Sequence, residues 1–281
     1  MSALTRRRAL HGAAAVILGC SSRDGSAPLR PSRVVSTAPS MTEIVFAIGR
    51  GSALVGRSRF CDYPPEAAAV PVVGGFSDPS VEKIVSLEPT LVCGERGPAG
   101  PELPGRLESL GIATFFPEMD DTTAIGNAFV ELARRLGVTE QGERARGTLE
   151  SDIDRVRKDV ASLSRPRVLF VFDWKPIVAA GPASFPDQLL RIAGGVNVVK
   201  EGEKYPRLGA EAVFALDPDV IVDGSGHGAA EPTGPSASLA SLRAVKGGRV
   251  RALASAAALR PGPRLGAGIQ ELARLVHGGG S

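Results

Sequence analysis

The sequence predicts an α/β protein with largely parallel strands, arranged as two similar lobes around a cleft. Three observations predict it. Short apolar, β-rich segments alternate with helical patterns along the chain. One helix–strand unit occurs twice, and a single long helical stretch lies between the two halves.

The elements run in order. Residues 33–36 are the first strand candidate, and Ser40-Met41-Thr42-Glu43 then has the spacing of a capping box opening a helix that stops at Gly49. Asp78-Pro79 offers a cap residue and a proline at the first helical position of the next helix. Further strands are expected at 91–93, 113–116, 168–172, 220–223 and 250–253.

The repeat is V-E-K-I-V-S-L-E-P-T-L-V-C at 81–93 and A-E-A-V-F-A-L-D-P-D-V-I-V at 210–222. The glutamate, the leucine, the acid–proline pair and the following apolar strand keep the same spacing in both. Each half also closes alike, with E-L-A-R-R-L-G at 131–137 and E-L-A-R-L-V-H-G at 271–278. Between the halves, 141–163 lacks glycine or proline after Gly147, and Leu149, Ile153, Val156, Val160 and Leu163 recur at helical spacing. A single connecting helix there limits hinge motion between the lobes.

The N-terminus reads as an export signal. T-R-R-R-A-L at 5–10 supplies a basic head with the paired arginines of the twin-arginine route, and an apolar run of about 7–15 residues comes after it. That run is too short to span a bilayer, which takes about 20 apolar residues. It ends in I-L-G-C, which resembles a bacterial lipobox, so Cys20 is the expected lipidated first residue of the mature chain. The expected organisation is a signal at 1–19, a lipidated tether at 20–32, an N-terminal lobe at 33–138, the connecting helix at 139–164 and a C-terminal lobe at 165–281. The protein is expected outside the cytoplasm, held to the membrane by its anchor.

Composition removes several classes. The charge of +3 comes from 33 basic and 30 acidic residues, and cleavage before Cys20 removes Arg6, Arg7 and Arg8 with no acid. The balanced mature chain has no basic run for nucleic acid. No G-x-G-x-x-G comes after the first strand, and no G-x-x-x-x-G-K-[ST] phosphate loop is present. Gly224-Ser225-Gly226-His227-Gly228 lacks the G-x-S-x-G spacing of a hydrolase nucleophile. The three histidines do not supply the clusters that zinc and manganese sites require. An α/β enzyme is therefore the remote reading. Cys61 and Cys93 are the only cysteines left in an oxidising compartment, and a bridge between them would close a loop of about 30 residues, on the order of 3 kcal/mol. Two separate small residues is the alternative.

R-V-V-S-T-A-P-S-M-T-E-I-V-F-A-I-G at 33–49, G-R-S-R-F-C-D-Y-P-P-E-A at 56–67 and V-E-K-I-V-S-L-E-P-T-L-V at 81–92 together resemble the periplasmic cobalamin-, haem- and siderophore-binding proteins of ABC importers. D-Y-P-P-E-A resembles the cobalamin-binding branch most. The resemblance covers nearly all of 33–277. It implies two Rossmann-like lobes with parallel-rich sheets joined by one long backbone helix, as in class III periplasmic binding proteins. It also implies a corrinoid held in the interlobe cleft, with haem or a ferric siderophore as the alternative cargo. The implied partners are an ABC permease dimer with its ATPase subunits, no resident cofactor is implied, and the chain is expected to be a monomer.

Carried onto this chain, the family's pocket falls on Phe60, Phe76 and Glu95 in the first lobe and on Phe172, Trp174, Tyr205 and Arg260 in the second. Aromatic faces give a broad macrocycle contact area at low entropy cost, while arginine and backbone groups bond its amide arms. Ala256 stands where an acidic partner of Arg260 is expected. Glu82 and Glu211, at one position of the repeat, match the pair that related proteins offer to arginines on a two-fold permease. His227, in a glycine-rich loop after the 220–223 strand, is a candidate cobalt ligand.

Overall fold

The computed structural model describes residues 32–227 and 234–278, which form one compact unit. The expected signal and Cys20 lie outside the described residues, as does the His227 side chain. Among the described residues no helix is long and apolar enough to cross a membrane.

The first lobe runs β1 (Val34–Ser36), α1 (Pro39–Ala47), β2 (Leu54–Ser58), β3 (Val72–Gly74), α2 (Val81–Ser86), β4 (Leu91–Cys93), α3 (Glu102–Ser109), β5 (Ala113–Phe115) and α4 (Thr122–Arg135). Its sheet has the order β3-β2-β1-β4-β5 and every pair is parallel. Val34 and Val35 on the central β1 are both fully buried, because helices cover both faces of a parallel sheet and leave no polar side for alternation. The strand order reverses between β1 and β4. Ligand crevices in open α/β sheets lie outside the carboxyl ends of strands at such a point.

Helix α5 (Thr139–Val160) leads into β6 (Arg167–Trp174), β7 (Ile177–Ala179), α6 (Phe185–Ile192), β8 (Val196–Asn197), β9 (Arg207–Leu208), α7 (Ala210–Leu216), β10 (Val220–Asp223), α8 (Arg243–Lys246), β11 (Val250–Ala252) and α9 (Leu265–His277). The second sheet is mixed. β11, β10 and β6 are parallel neighbours, β7 and β9 continue antiparallel, and β8 pairs with β6. The repeat is real in three dimensions: α2–β4 and α7–β10 are equivalent units, and the two E-L-A-R segments lie in α4 and α9.

At 22 residues and about 1.5 Å per residue, α5 is roughly 33 Å long. Leu149, Ile153 and Val156 are buried on it, in a core that also takes Val34, Met41 and Phe129 from the first lobe and Val168, Leu189 and Ile269 from the second. At about 1.5–3 kcal/mol for each large apolar side chain removed from water, this shared seam opposes any wide separation of the lobes. The helix ends three residues before Leu163, which is exposed.

Two helix starts differ from expectation. Helix α1 begins at Pro39 after an Ala38 that supplies no side-chain cap, so Ser40 and Glu43 lie inside it and face other partners. A proline at the start of a helix needs no cap for its missing N–H, which leaves the Ser–Glu spacing free for another use. Helix α2 is capped by Ser80, whose Oγ accepts from the Lys83 N–H at 3.3 Å, while Asp78 pairs with Arg59 instead.

Candidate functional site

The carboxyl ends of β1 to β4 deliver one wall of a cleft. After β1 the chain enters α1 at Pro39; after β2 it presents Phe60, after β3 Phe76 and Ser77, and after β4 Glu95. Gly94 makes the last turn possible, because a Cβ there would collide with Thr37 Oγ1 and the Phe116 ring. The segment joining β11 to α9 supplies the opposite wall with Ala256, Leu259, Arg260 and Pro261. Together these residues line a cavity of about 460 Å³, within the range of small-molecule sites. A helix-side cavity of about 470 Å³ also lies between α5 and α9, lined by Val156, Val160, Leu163 and Arg274 among others; it touches no strand-end loop of either sheet.

Four expected residues, Phe60, Phe76, Glu95 and Arg260, are thus brought together. Phe172 and Tyr205 lie off this cavity but in contact with each other, ring centroids 5.6 Å apart and edge-on. Tyr205 is half exposed, beside the interlobe ion pair of Lys204 with Asp120 at 2.8 Å. Burial and the Asp120 charge raise its phenol pKa. Trp174 is placed elsewhere. It is 3% exposed in a separate apolar cluster with Leu169 and Ile221, and its indole Nε1 donates to Asp223 Oδ2 at 2.9 Å. The proline-bearing stretch around it is a hairpin turn, so β6 runs on past Phe172 and carries Trp174 into the core.

The expected gap at Ala256 is filled from across the cleft. Arg260 reaches Asp62 through both terminal nitrogens, at 2.5 and 3.2 Å, and Glu43 Oε1 at 3.3 Å. Arg264 donates to Glu43 from Nε at 2.8 Å and Nη2 at 2.6 Å, with its guanidinium 4.0 Å above the Tyr63 ring. Glu43 is 3% exposed, so two arginines of the second lobe converge on a buried carboxylate of the first. Hydrogen bonding from Arg260 holds the Asp62 carboxyl below its usual range. Burial pulls the Arg260 pKa down, but Asp62 and Glu43 outweigh it and the net change is upward. Sequence reasoning missed Glu43, Asp62 and Arg264. The available signal was R-P-G-P-R at 260–264, which sets two arginines around a stiff turn.

Glu95 is the unbalanced charge of the wall. Burial raises its pKa, against a hydrogen bond from Ser40 Oγ and the attraction of Arg260. Below the ordinary glutamate pKa of about 4.3 the group is protonated folded or unfolded and costs nothing. As pH rises through the elevated folded value, ionising it opposes folding. Glu95→Gln is therefore expected to raise the melting temperature at pH 7. The gain should vanish near pH 4, which paired thermal melts would check. Cys61 and Cys93 are both free and buried, and burial pushes the Cys93 thiol up to about 12.

Over residues 34–257 the chain matches the family described as periplasmic binding protein. It is 30% identical over 240 residues to the vitamin B12-binding protein of Vibrio cholerae serotype O1, covering 84% of this chain and 86% of the relative. Among solved structures, the periplasmic heme-binding protein from Roseiflexus sp. RS-1 in apo form superposes with a TM-score of 0.79 at 27% identity, covering 89% of this chain and 99% of that one. The periplasmic vitamin B12 binding protein of Vibrio cholerae superposes with a TM-score of 0.78 at 27% identity, covering 87% and 96%.

Proposed function

The chain belongs to the periplasmic binding protein family, and from that premise we propose that it captures a corrinoid in the interlobe cleft and delivers it to an ABC permease. It works from outside the cytoplasm, anchored through a lipid on Cys20 and released from its signal before that residue. The similarity to vitamin B12-binding and heme-binding proteins supports cargo of the macrocycle class.

One observation favours the corrinoid within that class. The cleft wall is aromatic at Phe60 and Phe76, its arginine is already neutralised, and its unbalanced group is the Glu95 carboxylate. A corrin carries neutral amide arms around a cobalt cation, and such a wall accepts it. Haem propionates and ferric catecholates are anionic and would meet no free cation among the cleft-lining residues.

Haem has a specific candidate ligand in Tyr205. Iron binds tyrosine as the phenolate, and Tyr205 is half exposed beside Phe172, off the cavity that Arg260 lines. A corrinoid also exceeds the size of a drug-like ligand, so the 460 Å³ cleft would cover one part of it while Phe172 and Tyr205 flank the rest.

Calorimetry of the chain from Ser32 onward, against cyanocobalamin, cobinamide, haemin and a ferric siderophore, tests the reading. The expected result is one-to-one binding of a corrinoid with Kd about 1 μM or tighter, near −8 kcal/mol. Heat with haemin or siderophore and none with either corrinoid would overturn it.

A further inference from the structure

Asp62 is an odd residue to find on Arg260. Its side chain is 68% exposed, whereas Glu43 on the same guanidinium is 2% exposed and shares its one negative charge between Arg260 and Arg264. An exposed ion pair adds little to stability, so the balance Asp62 supplies bears on the charge of the cleft more than on the fold. What Asp62 does have is position. It spans both terminal nitrogens of the arginine that lines the cleft.

A guanidinium carries five N–H donors, and a carboxylate binds it best through two parallel ones. Asp62 holds one such pair and Glu43 accepts a third donor from Nη1. The two that remain, Nε–H and one Nη2–H, are the side-on pair through which Arg264 holds Glu43, so the donor count alone does not exclude a carboxylate. Charge decides. Around this wall Glu43 and Asp62 balance Arg260 and Arg264, so an incoming carboxylate meets no net positive charge.

We propose that Asp62 sets the charge selectivity of the cleft: by balancing the second arginine charge and holding the end-on donors of Arg260, it removes the net positive charge that would draw carboxylates and leaves the site to neutral amide carbonyls. The inference rests on the cleft being the ligand site, and it names which polar arms that site admits. Removing the Asp62 charge frees the end-on donors and leaves one arginine charge unbalanced.

The test uses two probe pairs that differ at their carboxyl groups. The heptaamide of cobyrinic acid is compared with cobyrinic acid itself, and haemin dimethyl ester with haemin. The wild-type protein should prefer the neutral member of whichever pair it binds. Asp62→Asn, nearly isosteric, should narrow that preference about tenfold, the scale of one partly screened charge at contact. Asp62→Glu should retain it, and Asp62→Ser provides a second uncharged variant should Asp62→Asn fold poorly. Raising the salt concentration should narrow the wild-type preference without any substitution. Corrinoid binding with an unchanged ratio in the uncharged variants overturns the role of Asp62 and leaves the corrinoid reading standing. Binding of neither pair by the wild type overturns both.

Discussion

Glu43→Gln is expected to destabilise the chain by about 3 kcal/mol, the lower end of what breaking a buried ion pair costs. In a protein of this size that lowers the melting temperature by roughly 6–12 °C. The lower end applies because the Arg260 and Arg264 side chains keep 19% and 27% exposure, so water reaches part of the orphaned charge. Glutamine preserves the volume inside α1 but returns one acceptor oxygen where two served three donors, and it leaves Arg264 above Tyr63 without a counter-charge. The contrast is Asp78→Ala, which breaks the exposed, solvent-screened Arg59–Asp78 pair and should cost far less. Denaturant unfolding of the two variants measures the difference. A loss below about 1 kcal/mol for Glu43→Gln, the scale of an exposed pair, would show that the cluster is hydrated and does not tie the lobes together.

That cluster also shows where sequence reading stops. Glu43 and Arg264 lie 221 residues apart, and nothing local to either announces the other. The Ser40–Glu43 spacing is one helical turn, the same at a helix start as inside it, so a capping box and an inward polar stripe share one sequence pattern. The repeated helix–strand units were legible because each carries its own apolar strand and acid–proline turn. β2, β3, β7, β8 and β9 were not: each is short, and none follows an acid–proline turn as β4 and β10 do. Phe60, Phe76, Glu95 and Arg260 were placed through the family resemblance, and only Glu95 and Arg260 also stand in a loop beyond a strand read from the sequence. Trp174 could not, because the turn after it returns β7 onto β6 and lengthens that strand beyond its apolar run. The pairing at Arg260 came from the D-Y-P segment rather than from position 256, a contact that only the approach of the two lobes creates.

Reversing both repeat glutamates, Glu82→Arg with Glu211→Arg, is expected to abolish uptake while leaving ligand affinity within about twofold. Each glutamate sits in the first turn of its helix, α2 or α7, and is exposed. A helix dipole accounts for either acid alone, at about 0.3–1 kcal/mol. It does not account for Val85 and Phe214, which lie three residues beyond Glu82 and Glu211 and are large apolar side chains left exposed on both helices. Three residues apart on a helix is the same face. Each lobe therefore offers an acid beside an apolar contact at the same step of the repeat, and a two-fold symmetric permease is a partner able to take both at once. Two arginines in their place would set like charges against the basic groups of such a partner, at a cost of several kcal/mol. Either single reversal should leave partial uptake, and association of the wild-type protein with the permease should weaken as salt rises. Transport of labelled ligand and co-purification with the permease are the measurements. Normal uptake by the double variant, present at normal levels, would reduce Glu82 and Glu211 to helix-capping charges.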